Sequence, residues 1–230
     1  MINENDVTDT IFPSATVVLL RDSGQGLEAL LVQRSKALKH LGGVWVFPGG
    51  KVDDQDHDHD RDAYRAALNA AIRETREEVG VAVRQDQLVY LSHWTTPVGA
   101  PKRFATWFFL AILEGEQDVE VDGGEIALHR WVEPHLAIAE CADESEALQL
   151  MPPTYISLLD LVGYRSCAEA QAGIDARGAM TFTPRVISVQ DGICFLYEGD
   201  AGYDDVDPEL KGGRHRMYMI ENQLQYIREP

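Results

Sequence analysis

Three carboxylates, those of Glu74, Glu77 and Glu78, recur at helical spacing between Arg73 and Gly80, together with the guanidinium groups of Arg73 and Arg76. At about 100° per residue, Glu77 and Glu78 lie roughly 300° and 400° around a helix from Glu74, so the three acids share about 100° of arc. Like charges at these spacings repel by about 0.2–0.5 kcal/mol per pair. Bound divalent cations would offset this repulsion, and hard oxygen ligands favour Mg²⁺ or Mn²⁺.

The acidic segment closes a helix that the sequence predicts over residues 62 to 79. Asp60 or Asp62 can cap its start, and Gly80 is a fitting stop. Paired glutamates on a helix usually form a solvent-exposed acidic face. The neighbouring motifs are therefore needed to distinguish such a face from a metal-binding site. One buried stripe is expected, formed by Tyr64, Leu68, Ile72, Thr75 and Val79.

A glycine-rich turn precedes this helix. Val44 to Phe47 predicts a short strand that ends in Pro48-Gly49-Gly50, and a polar, acidic loop follows. Because glycine lacks a side chain, the backbone at such a turn can approach a charged ligand closely, and an exposed carbonyl can complete a metal shell.

The order of strand, Pro-Gly-Gly turn, acidic loop and Arg-Glu-x-x-Glu-Glu-x-Gly helix resembles the Nudix box over roughly residues 13 to 135. Thr75 stands where that box is usually apolar. The resemblance implies that Glu74, Glu77 and Glu78 are metal ligands, joined by a backbone carbonyl of the turn, assigned to Gly49. It implies hydrolysis of a diphosphate linkage by Mg²⁺ or Mn²⁺ and an activated water.

The predicted catalytic residues are Arg73, Glu74, Glu77 and Glu125. Arg73 stands four residues before Glu77 and can hold that carboxylate in orientation. The general base is left open between Glu74 and a carboxylate of the later loop. Glu125 is preferred there over Glu120 and Asp122, against the simpler interpretation of a surface acid.

The spacing departs from the usual box. Arg73 follows Gly50 by twenty-three positions in place of fourteen, so nine residues are inserted. Counted back eight positions from Arg73, the slot of the first glutamate holds Arg65, which puts the usual ion pair between loop and helix in doubt. The insert contains His57 and His59 among aspartates and is interpreted as a solvated loop, with cation binding as the alternative.

Interrupted boxes of this kind resemble those of coenzyme A diphosphatases. The signature of that branch has the same spacing as Leu30-Leu31, Ser35, Lys39, Gly43 and the turn. Val32 and Arg34 replace its two threonines, and Lys39 replaces its arginine. The implied substrate is coenzyme A or an acyl-CoA, cleaved to 3′,5′-ADP and 4′-phosphopantetheine. Basic residues around the turn are expected to bind the substrate: Arg34, Lys39, Lys51 and Arg103, with Lys36, His40 and Lys102 nearby.

Three alternatives stay open. The substrate can be another nucleoside diphosphate derivative, such as NADH, ADP-ribose or a dinucleoside polyphosphate. A nucleotide-binding module that does not cleave its ligand should tolerate loss of the helix carboxylates, and all three are present. Isomerisation of a diphosphate would require a cysteine at the site, and none of the three cysteines is near the box in sequence.

The composition narrows the class of protein. A net charge of −18 repels nucleic-acid backbones, so sequence-independent binding of nucleic acid is not expected. The same charge repels the small nucleotide that the resemblance implies as substrate, so bound cations and a local cluster of Lys and Arg are needed. The longest apolar run, residues 104 to 113, is about half of what spans a bilayer. The polar, acidic start does not resemble a secretory signal, and three widely spaced cysteines fit reduced thiols, so a cytoplasmic location is expected.

The order of elements, with helices expected over roughly 134 to 150 and 153 to 170, predicts an α/β fold, and the resemblance implies a Nudix α/β/α sandwich with a mixed β-sheet. Residues 1–12 are interpreted as an N-terminal arm, 13–171 as the Nudix hydrolase domain, and 172–230 as a β-rich extension packed on the core. The chain predicts two hairpins in the extension, around Asp191-Gly192 and Glu221-Asn222. Its apolar strands are a candidate homodimer surface.

Overall fold

The computed structural model describes residues 10–39, 41–115, 117–143, 148–221 and 223–229. Its centre is an eight-stranded mixed sheet in the order β3-β2-β1-β6-β5-β8, with β4 paired to β1 and β7 to β2. The β1–β6 and β5–β8 pairs are parallel, and the others are antiparallel. The strands are β1 (Ile11–Ser23), β2 (Gly26–Arg34), β3 (Trp45–Val46), β4 (Gly49–Lys51), β5 (Val89–Thr95), β6 (Arg103–Ile112), β7 (Ile126–Val132) and β8 (Met180–Phe182).

Helices cover both faces of this sheet. Helix α1 (Ala63–Val79) packs on one face, over the odd-numbered side chains of β1 such as Val17 and Leu19. The opposite face is covered by α2 (Pro134–Cys141), α3 (Pro152–Leu161) and α4 (Cys167–Arg177). The predicted α/β/α sandwich is therefore confirmed. No helix among the described residues is long and apolar enough to cross a membrane.

Helix α1 lies close to the sheet because its buried face is lined by alanine. Ala66, Ala67, Ala70 and Ala71 are fully buried. The predicted stripe was wrong at Tyr64, which is 38% exposed, because the buried face is centred on the alanines instead. The predicted caps are confirmed: the Asp62 carboxylate accepts from Arg65 N–H, and Gly80 ends the helix with φ of 71°.

A second sheet follows the first. Strands β9 (Arg185–Val189), β10 (Gly192–Leu196), β11 (Arg214–Ile220) and β12 (Gln223–Glu229) form an antiparallel sheet in the order β12-β11-β10-β9, which confirms both predicted hairpins. It packs on the core through an aromatic cluster in which Trp94 stacks on Phe182 at 3.9 Å and meets Tyr197 edge-on at 5.9 Å.

Several predicted boundaries differ from the structure. Residues 153 to 170 were expected to form one helix, but α3 ends at Leu161 and α4 begins at Cys167, with Gly163 between them. The helix expected over 134 to 150 ends at Cys141. The last residues of the predicted arm, Ile11 and Phe12, belong to β1, while residues 1–9 lie outside the described part. The predicted division at 171/172 falls inside α4, and β8 beyond it joins the main sheet.

Candidate active site

The Pro-Gly-Gly segment brings the sheet and helix α1 into direct contact. A turn was expected at Pro48-Gly49-Gly50, but Gly49 and Gly50 instead belong to β4, which pairs with β1. Gly49 has φ of 154°, and a Cβ there would meet the backbone of Ala15 and Thr16. A Cβ on Gly50 would overlap the carboxylate of Glu74. Glycine is therefore required at Gly49 by backbone contact and a positive φ, whereas a side chain at Gly50 would displace the Glu74 carboxylate.

Glu78 is the most buried of the three helix carboxylates. It is 7% exposed, and its Oε2 accepts a hydrogen bond from Gly49 N–H at 2.8 Å. Burial raises the pKa of Glu78 to about 8, against the stabilising bond from Gly49. The charges of Glu74 and Glu125 raise this pKa further, whereas Arg34 lowers it. A carboxylate buried among like charges is stabilised either by binding a proton or by binding a cation in addition to Arg34.

Arg73 ties the loop, the turn and the helix together. Its guanidinium donates to Glu74 Oε1 at 2.8 Å, to Glu77 Oε2 at 2.9 Å and to the Lys51 carbonyl at 2.9 Å. The predicted orienting contact between Arg73 and Glu77 is thus present in the structure. Its pKa is raised, first by hydrogen bonding to Asp56, so Arg73 stays charged.

Asp56 is a site residue that the sequence interpretation missed. It is 4% exposed and accepts from Arg73 Nε at 3.0 Å and Nη2 at 2.8 Å, a bidentate pair. The doubt about the ion pair between loop and helix was therefore misplaced. Counting back from Arg73 led to Arg65, which is exposed and pairs with Asp58 and Asp60. Counting forward six positions from Gly50 leads to Asp56, so the nine-residue insertion follows this acid.

The other two helix carboxylates differ in exposure. The side chain of Glu74 is 16% exposed, and burial raises its pKa despite the bond from Arg73. Glu77 is 58% exposed and faces Arg73. Thr75, between them, is fully buried and donates from Oγ1 to the Ala71 carbonyl at 2.7 Å. This bond satisfies its hydroxyl and explains how threonine fits an otherwise apolar position.

The later loop places its three acids differently. Asp122 accepts from the N–H groups of Glu125 and Ile126, each at 2.9 Å, and so shapes the loop. Glu120 lies beside Gly80, at the end of α1. Glu125 is exposed and close enough to Glu78 to raise the pKa of that acid. The loop therefore brings Glu125 alone of the three towards the buried carboxylate.

The predicted substrate-binding cations are only partly brought together. Arg34 lies near Glu78, and its Nε is buried without a hydrogen-bond partner in the described chain. Lys51 follows the turn and meets Lys102, whose pKa is lowered by burial and then by Lys51. Lys39 is exposed, and the Arg103 side chain donates to the Thr96 carbonyl at 3.2 Å. His40 lies outside the described residues.

The donor set can be compared with the needs of a divalent cation. Across the described residues, no three acidic, histidine or cysteine side chains converge at ligand distance, and this includes His57 and His59 of the insert. The charges of Glu74 and Glu125 nevertheless both act on the buried carboxyl of Glu78 and raise its pKa. Carboxylate oxygens are the ligands that Mg²⁺ and Mn²⁺ prefer, and a bound cation would offset the repulsion that these carboxylates exert on the buried Glu78.

The cysteines do not serve this site. Cys141, Cys167 and Cys194 are free and buried. Cys141 and Cys167 belong to the core on the face opposite α1, and Cys194 lies in the second sheet. Burial raises the pKa of each thiol. A cysteine-dependent isomerisation at the glycine turn has no support in this arrangement.

Known proteins resemble this chain in sequence. The model of the NUDIX domain family matches residues 10–152. A putative nudix hydrolase 7 of Caenorhabditis elegans is 26% identical over 192 residues, which cover 67% of this chain and 62% of the relative. The acyl-coenzyme A diphosphatase NUDT19 of Xenopus laevis is 28% identical over 58% of this chain and 37% of its own. The m7GpppN-mRNA hydrolase NUDT17 of Danio rerio is 27% identical over 58% and 46%.

A solved structure has the same fold. The crystal structure of a NUDIX hydrolase from Alicyclobacillus acidocaldarius superposes with a TM-score of 0.60 at 23% identity, over 72% of this chain and 96% of that one. The matches span about a third to two thirds of the lengths of the curated relatives. Because the family model covers more than half of the 230 residues, this protein belongs to the Nudix family.

Proposed function

We propose that this chain is a metal-dependent diphosphatase that hydrolyses coenzyme A or an acyl-CoA to 3′,5′-ADP and the corresponding 4′-phosphopantetheine. One observation carries the catalytic part of this proposal. The buried Glu78 carboxylate accepts a hydrogen bond from Gly49 N–H, and the Glu74 carboxylate packs against Gly50. Two acidic side chains of α1 are thus held next to the backbone of consecutive glycines. This arrangement suits a cation and a diphosphate better than it suits solvent.

Glu74, Glu77, Glu78 and the backbone at Gly49 would hold the cations. Bound Mg²⁺ or Mn²⁺ supplies charge neutralisation of the diphosphate and lowers the pKa of a water. Arg73 fixes the orientation of Glu74 and Glu77, and Asp56 fixes Arg73.

Two carboxylates remain candidates for the general base. Glu74 is held by Arg73, whereas Glu125 is exposed and is without an ion pair among the described residues. A base must be free to accept a proton from water. This favours Glu125 as the base and Glu74 as a ligand.

The substrate part of the proposal rests on similarity. The spacing of Leu30-Leu31, Ser35, Lys39 and Gly43 before the turn resembles the coenzyme A signature. One relative is named an acyl-coenzyme A diphosphatase. Since another is named an mRNA cap hydrolase, capped RNA belongs in the substrate test beside coenzyme A.

A substrate panel tests both parts. The full chain is incubated with coenzyme A, NADH, ADP-ribose, diadenosine tetraphosphate and capped RNA, with Mg²⁺ or Mn²⁺, and products are identified by mass spectrometry. Coenzyme A is expected to yield 3′,5′-ADP and 4′-phosphopantetheine. Glu77→Gln and Glu78→Gln should lower kcat by about 100-fold or more, in the range of lost metal or charge stabilisation.

The controls separate the two parts. Glu209→Gln changes an exposed glutamate of the C-terminal region and should keep wild-type activity. Cleavage of NADH, ADP-ribose or capped RNA with coenzyme A left intact refutes the substrate assignment alone. Undiminished activity in both Glu77→Gln and Glu78→Gln refutes the assignment of the metal-binding helix.

A further inference from the structure

Two of the five lysines of the chain meet beside the glycine turn. Lys51 ends β4, and its Nζ lies 4.6 Å from the ring centroid of Phe12. Lys102 precedes β6, and its Nζ lies 5.8 Å from the same ring and 5.4 Å from that of Phe104. Phe12 and Phe104 are direct partners in the parallel β1–β6 pair. Both ammonium groups therefore make cation–π contacts with this pair of phenylalanine rings, and these contacts hold the two lysines close despite their mutual repulsion.

No acid neutralises these two cations within the described residues. This is unexpected in a chain with 38 acidic against 20 basic residues, where a free carboxylate is seldom distant. Like charges gathered without a counter-charge raise the local potential and concentrate anions. Lys51 and Lys102 therefore have the electrostatic character of an anion site.

A hydroxyl on the same face supplies an independent sign of a ligand. Ser14 is 5% exposed, and its Oγ has no hydrogen-bond partner in the described chain. Ser14 and Lys51 are directly paired across β1 and β4, so their side chains share one face of the sheet. A buried hydroxyl without a partner is costly, and an anion held by the lysines could accept its proton.

The lysine pair and the helix carboxylates lie on opposite faces of β4. The side of Gly50 that would bear a Cβ faces Glu74 and helix α1. Because side chains alternate along a strand, Lys51 projects from the opposite face of β4. The charge of Arg34 lowers the pKa of both Glu78 and Lys102, so this arginine is close enough to act on both places. The lysine pair is therefore next to the glycine turn in the chain but lies on the face of β4 opposite the carboxylates of α1.

We propose that Lys51 and Lys102, seated on Phe12 and Phe104, bind a terminal phosphate monoester of the substrate, distinct from the diphosphate that is cleaved. This proposal rests on the proposed function. A phosphate monoester carries about −1.5 to −2 charges at neutral pH and three acceptor oxygens, which two ammonium groups and a hydroxyl can match. Coenzyme A has such a group on its ribose, whereas NADH, ADP-ribose and dinucleoside polyphosphates lack one.

Binding of product-like nucleotides tests the site without catalysis. Calorimetric titration of the full chain with 3′,5′-ADP and with 5′-AMP should give about tenfold tighter binding of 3′,5′-ADP, a difference typical of charged hydrogen bonds. Lys51→Met and Lys102→Met keep the apolar stems on the phenylalanine rings and should each remove this advantage. Lys211→Met removes the same charge from an exposed position elsewhere and should leave it unchanged.

Kinetics with matched substrates complete the test. With coenzyme A, kcat/KM should fall about tenfold in each lysine variant, while with 3′-dephospho-coenzyme A it should stay near the wild-type value. Equal losses on both substrates, or equal binding of 3′,5′-ADP and 5′-AMP by the wild-type chain, overturn the monoester site. If neither substrate is cleaved but the lysine-dependent preference for 3′,5′-ADP persists, the site stands and the proposed function fails.

Discussion

Replacing Asp56 by asparagine should destabilise the protein through Arg73. The carboxylate of Asp56 is 4% exposed, and it accepts two bonds from Arg73 and one from Asp53 N–H at 2.8 Å. Removing one member of a buried ion pair typically costs about 3–5 kcal/mol. Arg73 keeps Glu74, Glu77 and the Lys51 carbonyl, so the lower end, about 3 kcal/mol, is expected here.

Thermal unfolding measures this cost. For a chain of this length, about 3 kcal/mol corresponds to a fall in Tm of roughly 6–12 °C. Asp58→Asn is the matched control, because Asp58 is half exposed and pairs with Arg65 at 3.4 Å, an exposed contact that contributes about 1 kcal/mol or less. kcat of Asp56→Asn should also fall, since Arg73 would no longer be held against the glutamates. A Tm equal to that of Asp58→Asn would refute the role assigned to Asp56.

Three further perturbations test the site and the second sheet. Gly50→Ala places a methyl group in the space of the carboxylate above it and should lower kcat by about 100-fold, whereas Gly24→Ala, with open space around it, should leave kcat unchanged. The pKa of Glu78 is about 8 in the folded, metal-free protein and 4.5 ordinarily, so the folded state binds this proton more tightly than the unfolded state does. The resulting stabilisation is lost as the pH rises towards 8, and Tm in EDTA should therefore fall from pH 5 to pH 8. Glu78→Gln should flatten this profile. Asp200 pairs with Arg216 at 2.7 Å and both are buried, so Asp200→Asn should lower Tm by several degrees and speed proteolysis of the C-terminal strands; unchanged cleavage would contradict that role.

Much of the site was predictable because it depends on local geometry. Helical spacing alone places Glu74, Glu77 and Glu78 on one side of α1, and two consecutive glycines indicate a close backbone approach. The hairpins of the second sheet were also predictable, since Asp191-Gly192 is a strong local turn signal, although the turn itself is Gln190-Asp191 and Gly192, already in β10, pairs with Val189.

The rest depends on contacts between distant segments. Asp56 becomes a partner of Arg73 only because the nine inserted residues follow it, and a count from the wrong end cannot reveal this. Lys102 reaches Lys51 because β1 and β6 pair in parallel, which no local pattern encodes. The break between α3 and α4 is the exception, because its signals are local and were overlooked: Gly163 follows α3, and the Ser166 side chain accepts from Glu169 N–H at the start of α4.

Equilibrium binding of Mn²⁺ is the most direct test of the metal-binding assignment. Titrations of the full chain, followed by electron paramagnetic resonance, compare the wild type with a variant carrying Glu74→Gln and Glu78→Gln. The wild type is expected to bind Mn²⁺ without substrate, and the double variant at least about tenfold more weakly, since two hard oxygen ligands are lost. Equal affinities for the two proteins would show that these carboxylates do not bind the metal and would contradict the proposed catalysis.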